Sequence, residues 1–300
     1  MSTHIATPQR RSFSLGLYLL IVFGLSWPFQ IASAVWGGTD LLRVYVLNCA
    51  AMIMVTVGTF IAGRYVFRDG FANAGWRWGK ARYYLAVICL ALFLWVVPTL
   101  IDLALKTLKL PAQLTSIQII WVPVLLFGTL LPGFGEEFGW RGYMLPRLAQ
   151  RMSVRRAALL HAAIWWSWHL PILIGGAVAS GIASAKLTAQ PVGLTVAIVV
   201  AATVILSAIP TILHGVVFAY IWTRYHSLAV SSVYHAAYDG MRDSLTLTIG
   251  LGFITSLWAT LVLIILGIVL LWKADWSNLK TVAIPSENPV PATAAYSQSV

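Results

Sequence analysis

The run Glu136-Glu137-Phe138-Gly139-Trp140-Arg141 sets two adjacent carboxylates and a guanidinium close together in the chain. On a helix Glu137 and Arg141 are four apart, share a face and can pair. Glu136 is turned about 100° away and has no such partner. One carboxylate is thereby neutralised and held, and the other is left free to take a proton. Two imidazoles follow. His169 stands in Trp165-Trp166-Ser167-Trp168-His169-Leu170-Pro171, with Trp165 one turn before it as an aromatic buttress. His235 and Asp239, in His235-Ala236-Ala237-Tyr238-Asp239, are again four apart and point the same way. A carboxylate that takes a proton from water, with imidazoles that position the water or offset an oxyanion, is equipment for hydrolysing an amide. The same Glu136, His169 and His235 are also a donor set for a divalent metal such as zinc, which takes two histidines and a carboxylate.

Composition decides which elements must carry these residues. Of 300 residues, 59% are hydrophobic and 10% charged, whereas a soluble domain carries about 25% charged residues. A helix crosses the hydrocarbon core in about 20 residues. The apolar runs are Phe13–Trp36, Leu41–Phe67, Tyr83–Leu105, Ile117–Leu131 continuing toward Leu148, Arg156–Gly176, Leu194–Trp222, a short polar Leu228–Asp243, and Ile249–Trp272. Backbone groups in lipid must be satisfied within their own segment, so these runs read as helices. The expected fold is all-α, a polytopic membrane bundle of about eight transmembrane helices. Residues 13–276 form one embedded domain with its chemistry in 115–245, residues 1–12 precede it, and 277–300 read as a disordered tail.

Charge placement orients the bundle. Arg10, Arg11, the group Arg64 to Arg82, the group Arg147 to Arg156, Arg224, Lys273 and Lys280 fall at alternate connections, while the others hold only Arg43, Lys106, Lys109, Lys186 and Arg242. By the positive-inside rule both termini are cytoplasmic, as in a multi-pass protein of the cell inner membrane. The net charge of +11 follows this topology and does not call for a nucleic-acid partner. Arg10-Arg11-Ser12-Phe13 resembles a twin-arginine signal, but the run after it is long enough to span and contains Trp27 and Pro28, so it reads as an uncleaved first helix.

An ionisable side chain at the bilayer centre costs about 3 kcal/mol and marks function by default. Such residues crowd into the fourth to seventh helices. His161 reads as an interfacial residue, and His214, beside Pro210 and Gly215, as one hidden against a carbonyl in a kinked helix. Cys49 and Cys89 lie in apolar runs as packing residues, and Ser167 as a packing hydroxyl. There is no His-Glu-x-x-His for a zinc protease and no Gly-x-Ser-x-Gly for a serine nucleophile, and Tyr238-Asp239 lacks a Gly-x-Gly-Asp partner.

Taken in order, Glu136-Glu137 with Arg141, Trp165 with His169, and His235 with Asp239 resemble the CAAX protease and bacteriocin-processing family, also called Abi or type II CAAX prenyl endopeptidases. Its marks are Glu-Glu-x-x-x-Arg, Phe-x-x-x-His and His-x-x-x-Asn on successive helices. The likeness runs across Leu131–Gly240 and includes Gly139-Trp140-Arg141-Gly142-Tyr143-Leu145. The first three helices and the tail carry no diagnostic residue. The resemblance implies an eight-helix intramembrane endopeptidase, metal-dependent or glutamate-dependent, acting among membrane lipids on a peptide or membrane-protein substrate. Glu136 would be the base and His169 would share the water. His235 and the residue at 239 would stabilise the oxyanion, while Glu137 and Arg141 hold the site together. Two positions depart from the pattern. Trp165 replaces Phe, a change of aromatic wall. Asp239 replaces Asn, and an ionised Asp cannot donate a hydrogen bond, so it is protonated, orients His235 or helps bind a cation. The basic loop after Arg141 places the opening of the site on the cytoplasmic side. Two other functions use the same parts: a catalytically silent scaffold or immunity protein, and a proton-coupled transporter with Glu136 and the histidines as its relay. Oligomeric state leaves no mark in the sequence.

Overall fold

The computed structural model of the protein describes residues 12–38, 40–251 and 256–279, and every regular element among them is helical. In chain order these are α1 (Leu15–Trp36), α2 (Leu41–Ile61) with a π-helical turn Ala62–Val66, α3 (Ala81–Ala104), α4 (Ser116–Gly128), α5 (Leu130–Glu137), a π-helical segment Phe138–Met144, α6 (Leu145–Arg151), α7 (Val154–Trp168), α8 (Leu170–Thr188), α9 (Val192–Tyr225), α10 (Leu228–Ile249) and α11 (Leu257–Lys273). Local chemistry starts several of them. The side chains of Asp40, Ser227 and Ser256 accept from the first free N–H groups of α2, α10 and α11, and Thr115 with Gln118 forms a capping box at α4.

Among the described residues six helical stretches are long and apolar enough to cross a bilayer: Leu15–Trp36, Leu41–Val66, Ala81–Ala104, Ser116–Arg151, Leu170–Thr188 and Val192–Tyr225, with Leu257–Lys273 a shorter apolar helix. Their packing is the reverse of a water-soluble protein's. Leu20, Phe127, Leu131 and Ile205 are 71%, 76%, 72% and 68% exposed, whereas Glu136, Glu137, Arg141, His161, His214 and His235 are buried. Only hydrocarbon makes that distribution favourable, and the protein is a polytopic membrane helical bundle.

α10 is inside the bundle, packed on α3, α4, α5 and α9, while α1 pairs with α2, and α9 with α7, α8 and α11. Its close approach to α4 needs a glycine. A Cβ at Gly240 would meet the backbone of Leu125 and Leu126 at 2.8 Å, too near for any side chain. Small residues at such crossings let backbones meet where no hydrophobic force separates helix from lipid.

Several boundaries differ from the sequence reading. The seventh helix runs on past Asp243 to Ile249 and ends at Gly250, in the left-handed region with φ 69°. Arg242 and Asp243 pair with each other, so the polar stretch stays helical. The fifth span is two helices meeting at His169, and the second continues past Gly176 to Thr188. Gly175 lies against Ala34, so this glycine marks a contact and not a stop. Trp276 and Leu279 are buried, and the remainder of the expected tail, like Arg10 and Arg11, lies outside the described residues.

The basic end of the bundle is covered. The connection between α2 and α3 folds over it, with Asp69 accepting from Tyr143 Oη (2.9 Å) and Arg147 Nε (2.7 Å). Trp222 Nε1 donates to the carbonyl of Ala74 in the same connection.

Candidate active site

The two carboxylates expected to diverge do so. Glu137 Oε1 accepts from Arg141 at 2.8 Å and faces His235 Nδ1 at 2.9 Å. All three side chains are within 2% of complete burial. The Arg141 guanidinium is sandwiched, its carbon 4.6 Å from the Trp165 ring and 4.3 Å from the Phe218 ring. Aromatic faces take up part of the charge that water would otherwise solvate. Glu136 belongs to none of these pairs. Its Oε2 accepts from Trp165 Nε1 at 2.9 Å, and its carboxyl lines a cavity of about 600 Å³.

His169 sits where α7 ends and α8 begins, and it lines the same cavity. Its Nδ1 lies 2.8 Å from the Trp165 carbonyl oxygen. A carbonyl only accepts, so Nδ1 carries the proton and the Nε2 lone pair is free in the neutral ring. Trp165 therefore acts three times: its indole N–H holds Glu136, its carbonyl sets the His169 tautomer, and its ring covers Arg141. A phenylalanine at this position would lose the first of these. The departure read as a change of aromatic wall is a change in the hydrogen bonding of Glu136.

His235 is placed between two carboxylates, Nδ1 on Glu137 and Nε2 3.3 Å from Asp239 Oδ2. Asp239 Oδ1 accepts in turn from Arg242 at 2.8 Å, and Arg242 donates twice more to Asp243. Asp239 is thus an acceptor from two cationic groups, an arrangement that suits an ionised carboxylate orienting His235. Asp239, Arg242 and Asp243 line the cavity, whereas His235, Glu137 and Arg141 stand behind the wall. His214 also lines it, with Nε2 3.0 Å from Tyr234 Oη and its ring 3.9 Å from the Tyr238 ring. It joins the site and does not hide against a carbonyl. His161 is fully buried on α7, and neither ring nitrogen has a hydrogen-bond partner among the described residues.

Arg242, Asp243, Gln30, Asn48 and Tyr238 were given no place in the site by sequence, yet all line the cavity. The signal for Arg242 was present in its spacing from Asp239, three residues, but the helix was expected to end there.

The cavity leads from Glu136 toward Leu41 and Leu247, near the start of α2 and the end of α10. That end is opposite the basic connections, where the chain covers the bundle. The opening expected on the side of the basic loop after Arg141 is not the one this cavity supplies.

The donor set does not fit a three-ligand metal centre. Among the described residues no group of three His, Cys, Asp or Glu side chains is arranged to hold a metal ion, and both nitrogens of His235 already face carboxylates.

Residues 118–241 match the family described as type II CAAX prenyl endopeptidase, Rce1-like. A stretch of 53 residues is 43% identical to CAAX prenyl protease 2 of Methanococcus maripaludis, spanning 18% of this chain and 19% of that protein. The matched region takes in Glu136, Glu137, Arg141, His169, His235 and Asp239. Through this region, and not over the chain as a whole, the protein is similar to the CAAX protease and bacteriocin-processing family.

Proposed function

We propose that the protein is an intramembrane endopeptidase of the cell inner membrane, with eight passes and both termini in the cytoplasm. It hydrolyses a peptide bond of a membrane-borne peptide or protein by a glutamate-dependent mechanism. The observation that carries this is Glu136, a buried carboxylate outside every ion pair, held by one indole N–H and lining a cavity. Its Oε1 accepts a proton from water while the Nε2 lone pair of His169 accepts a hydrogen bond from the remaining O–H, which stays on the attacking oxygen. The oxygen then adds to the scissile carbonyl carbon. His235, bonded on both sides, supplies positive charge that offsets the developing oxyanion, and Asp239 orients it. Glu136 passes its proton to the leaving nitrogen, the C–N bond breaks, and the carboxylate is restored. No step uses a metal.

The test compares new N-termini in membranes from cells carrying the native protein and cells carrying Glu136→Gln at matched abundance. Termini that vanish in the variant name the substrate. Identical maps under several growth conditions would point instead to the silent scaffold. Dialysis of the purified protein against 1,10-phenanthroline is expected to leave cleavage unchanged, and a loss restored by zinc would overturn the metal-free mechanism.

Trp165→Phe supplies the residue that the family pattern carries. A hydrogen bond to a charged group contributes about 1.5–3 kcal/mol. The substitution is therefore expected to lower kcat by about tenfold or more, with the Arg141 stacking retained and stability reduced by no more than that one hydrogen bond. Unaltered kcat would remove the indole N–H from the mechanism.

A further inference from the structure

We propose that the part of the cavity between α1, α2 and α10 is a substrate subsite that binds the main chain of an extended peptide, with the amides of Gln30 and Asn48 as its hydrogen-bonding groups. This deepens the endopeptidase reading and rests on it.

Gln30 on α1 and Tyr238 on α10 are each 2% exposed, and Asn48 on α2 is half-buried. All three line the cavity that holds Glu136. The Gln30 Oε1, Asn48 Oδ1 and Tyr238 Oη atoms have no hydrogen-bond partner among the described residues. A buried polar group without a partner is costly, and each one in a folded protein calls for a reason. Three from three helices around one volume are accounted for by a shared ligand.

The chemistry of the wall says which ligand. Much of the rest is apolar, including Val44, Met52, Trp121 and Leu125. Apart from Glu136, the charged groups on it are already paired: Arg242 donates to Asp239 through one nitrogen and to Asp243 through its other two. Uncommitted hydrogen bonding is left to neutral heads. A side-chain amide offers an acceptor and two donors, matching the N–H and C=O that every peptide unit brings and that must be satisfied away from water. Apolar walls accommodate the side chains. Gln30 and Asn48 lie outside the matched residues 118–241, so binding of the main chain is carried by different helices from the hydrolytic carboxylate.

The test uses the full-length protein in lipid nanodiscs and a pool of internally quenched apolar peptides. Binding is read without turnover through Cys49, which lines the cavity. Its alkylation by N-ethylmaleimide is followed in a Cys89→Ala background, Cys89 being exposed on the outer surface of α3. Gln30→Met with Asn48→Leu keeps shape and removes the hydrogen bonds. The pair is expected to raise KM about tenfold, the worth of one to two hydrogen bonds, with kcat little changed and with peptide protection of Cys49 weakened in parallel. N-methylation of the contacted peptide amide should cause a similar loss in the native protein and little further loss in the variant. Unchanged KM, a loss confined to kcat, or failure of every peptide to protect Cys49 would overturn the subsite. Glu136→Gln separates the two claims: it should abolish cleavage yet keep Cys49 protection. Cleavage that persists in Glu136→Gln would overturn the endopeptidase reading alone.

Discussion

Glu136→Gln is expected to lower kcat by about three orders of magnitude, within the range for loss of a general base, while KM and the unfolding temperature stay near native values. The amide oxygen still accepts from Trp165 Nε1, so the side chain keeps its position, and the group facing the cavity can no longer take a proton. Stability should hold because Glu136 is in no ion pair; removing its charge strands no cation. Kinetics on the purified protein, with a thermal scan of each form, separate the outcomes. A large fall in unfolding temperature would recast Glu136 as a structural group.

Glu137→Gln should do the opposite. Glu137 Oε1 joins Arg141 and His235 in a fully buried cluster, and removing one partner of a buried pair costs about 3–5 kcal/mol because the other is left charged in low dielectric. Arg141→Met is expected to destabilise by a similar amount and also to uncover the Trp165 and Phe218 faces. The double variant should lose less than the sum of the singles, the mark of coupled neighbours. Equilibrium unfolding in mild detergent would measure all three. Strict additivity would show that Glu137 and Arg141 do not depend on each other.

The division of labour between Glu136 and Glu137 was legible from a one-residue offset on a helix and a partner four residues on. The membrane class was legible because a charged fraction of 10% leaves no way to cover a surface in water. What sequence hid was set by tertiary partners. α10 looked too polar to continue past Asp243, since nothing local announces that Asp239, Arg242 and Asp243 neutralise one another. Gly176 looked like a stop, although the helix passes through it. Trp165 looked like a bulky Phe, because its value lies in one N–H whose acceptor comes from another helix. Gln30 and Asn48 carried no signal: a lone amide in an apolar run means nothing until the volume beside it is known. The cavity's direction was missed for a related reason. Basic residues report which end of the bundle faces the cytoplasm, not which end is covered by its own loop.

The π-helical segment Phe138–Met144 has a consequence for how the chain tolerates length change. A π-turn holds one more residue than the α-turn it interrupts, so it works as a phase adjuster between two rigid rods. Deleting a single residue there would relax the backbone to an α-helix and leave α6 nearly in phase with Glu136, whereas deleting one from the α-helical turns on either side would swing α6 by about 100°. In the second case Arg147 would leave Asp69 and the covering loop would lose its clasp, even if every remaining side chain were native. The same one-residue loss is therefore absorbed inside this short stretch and becomes a change of angle just outside it.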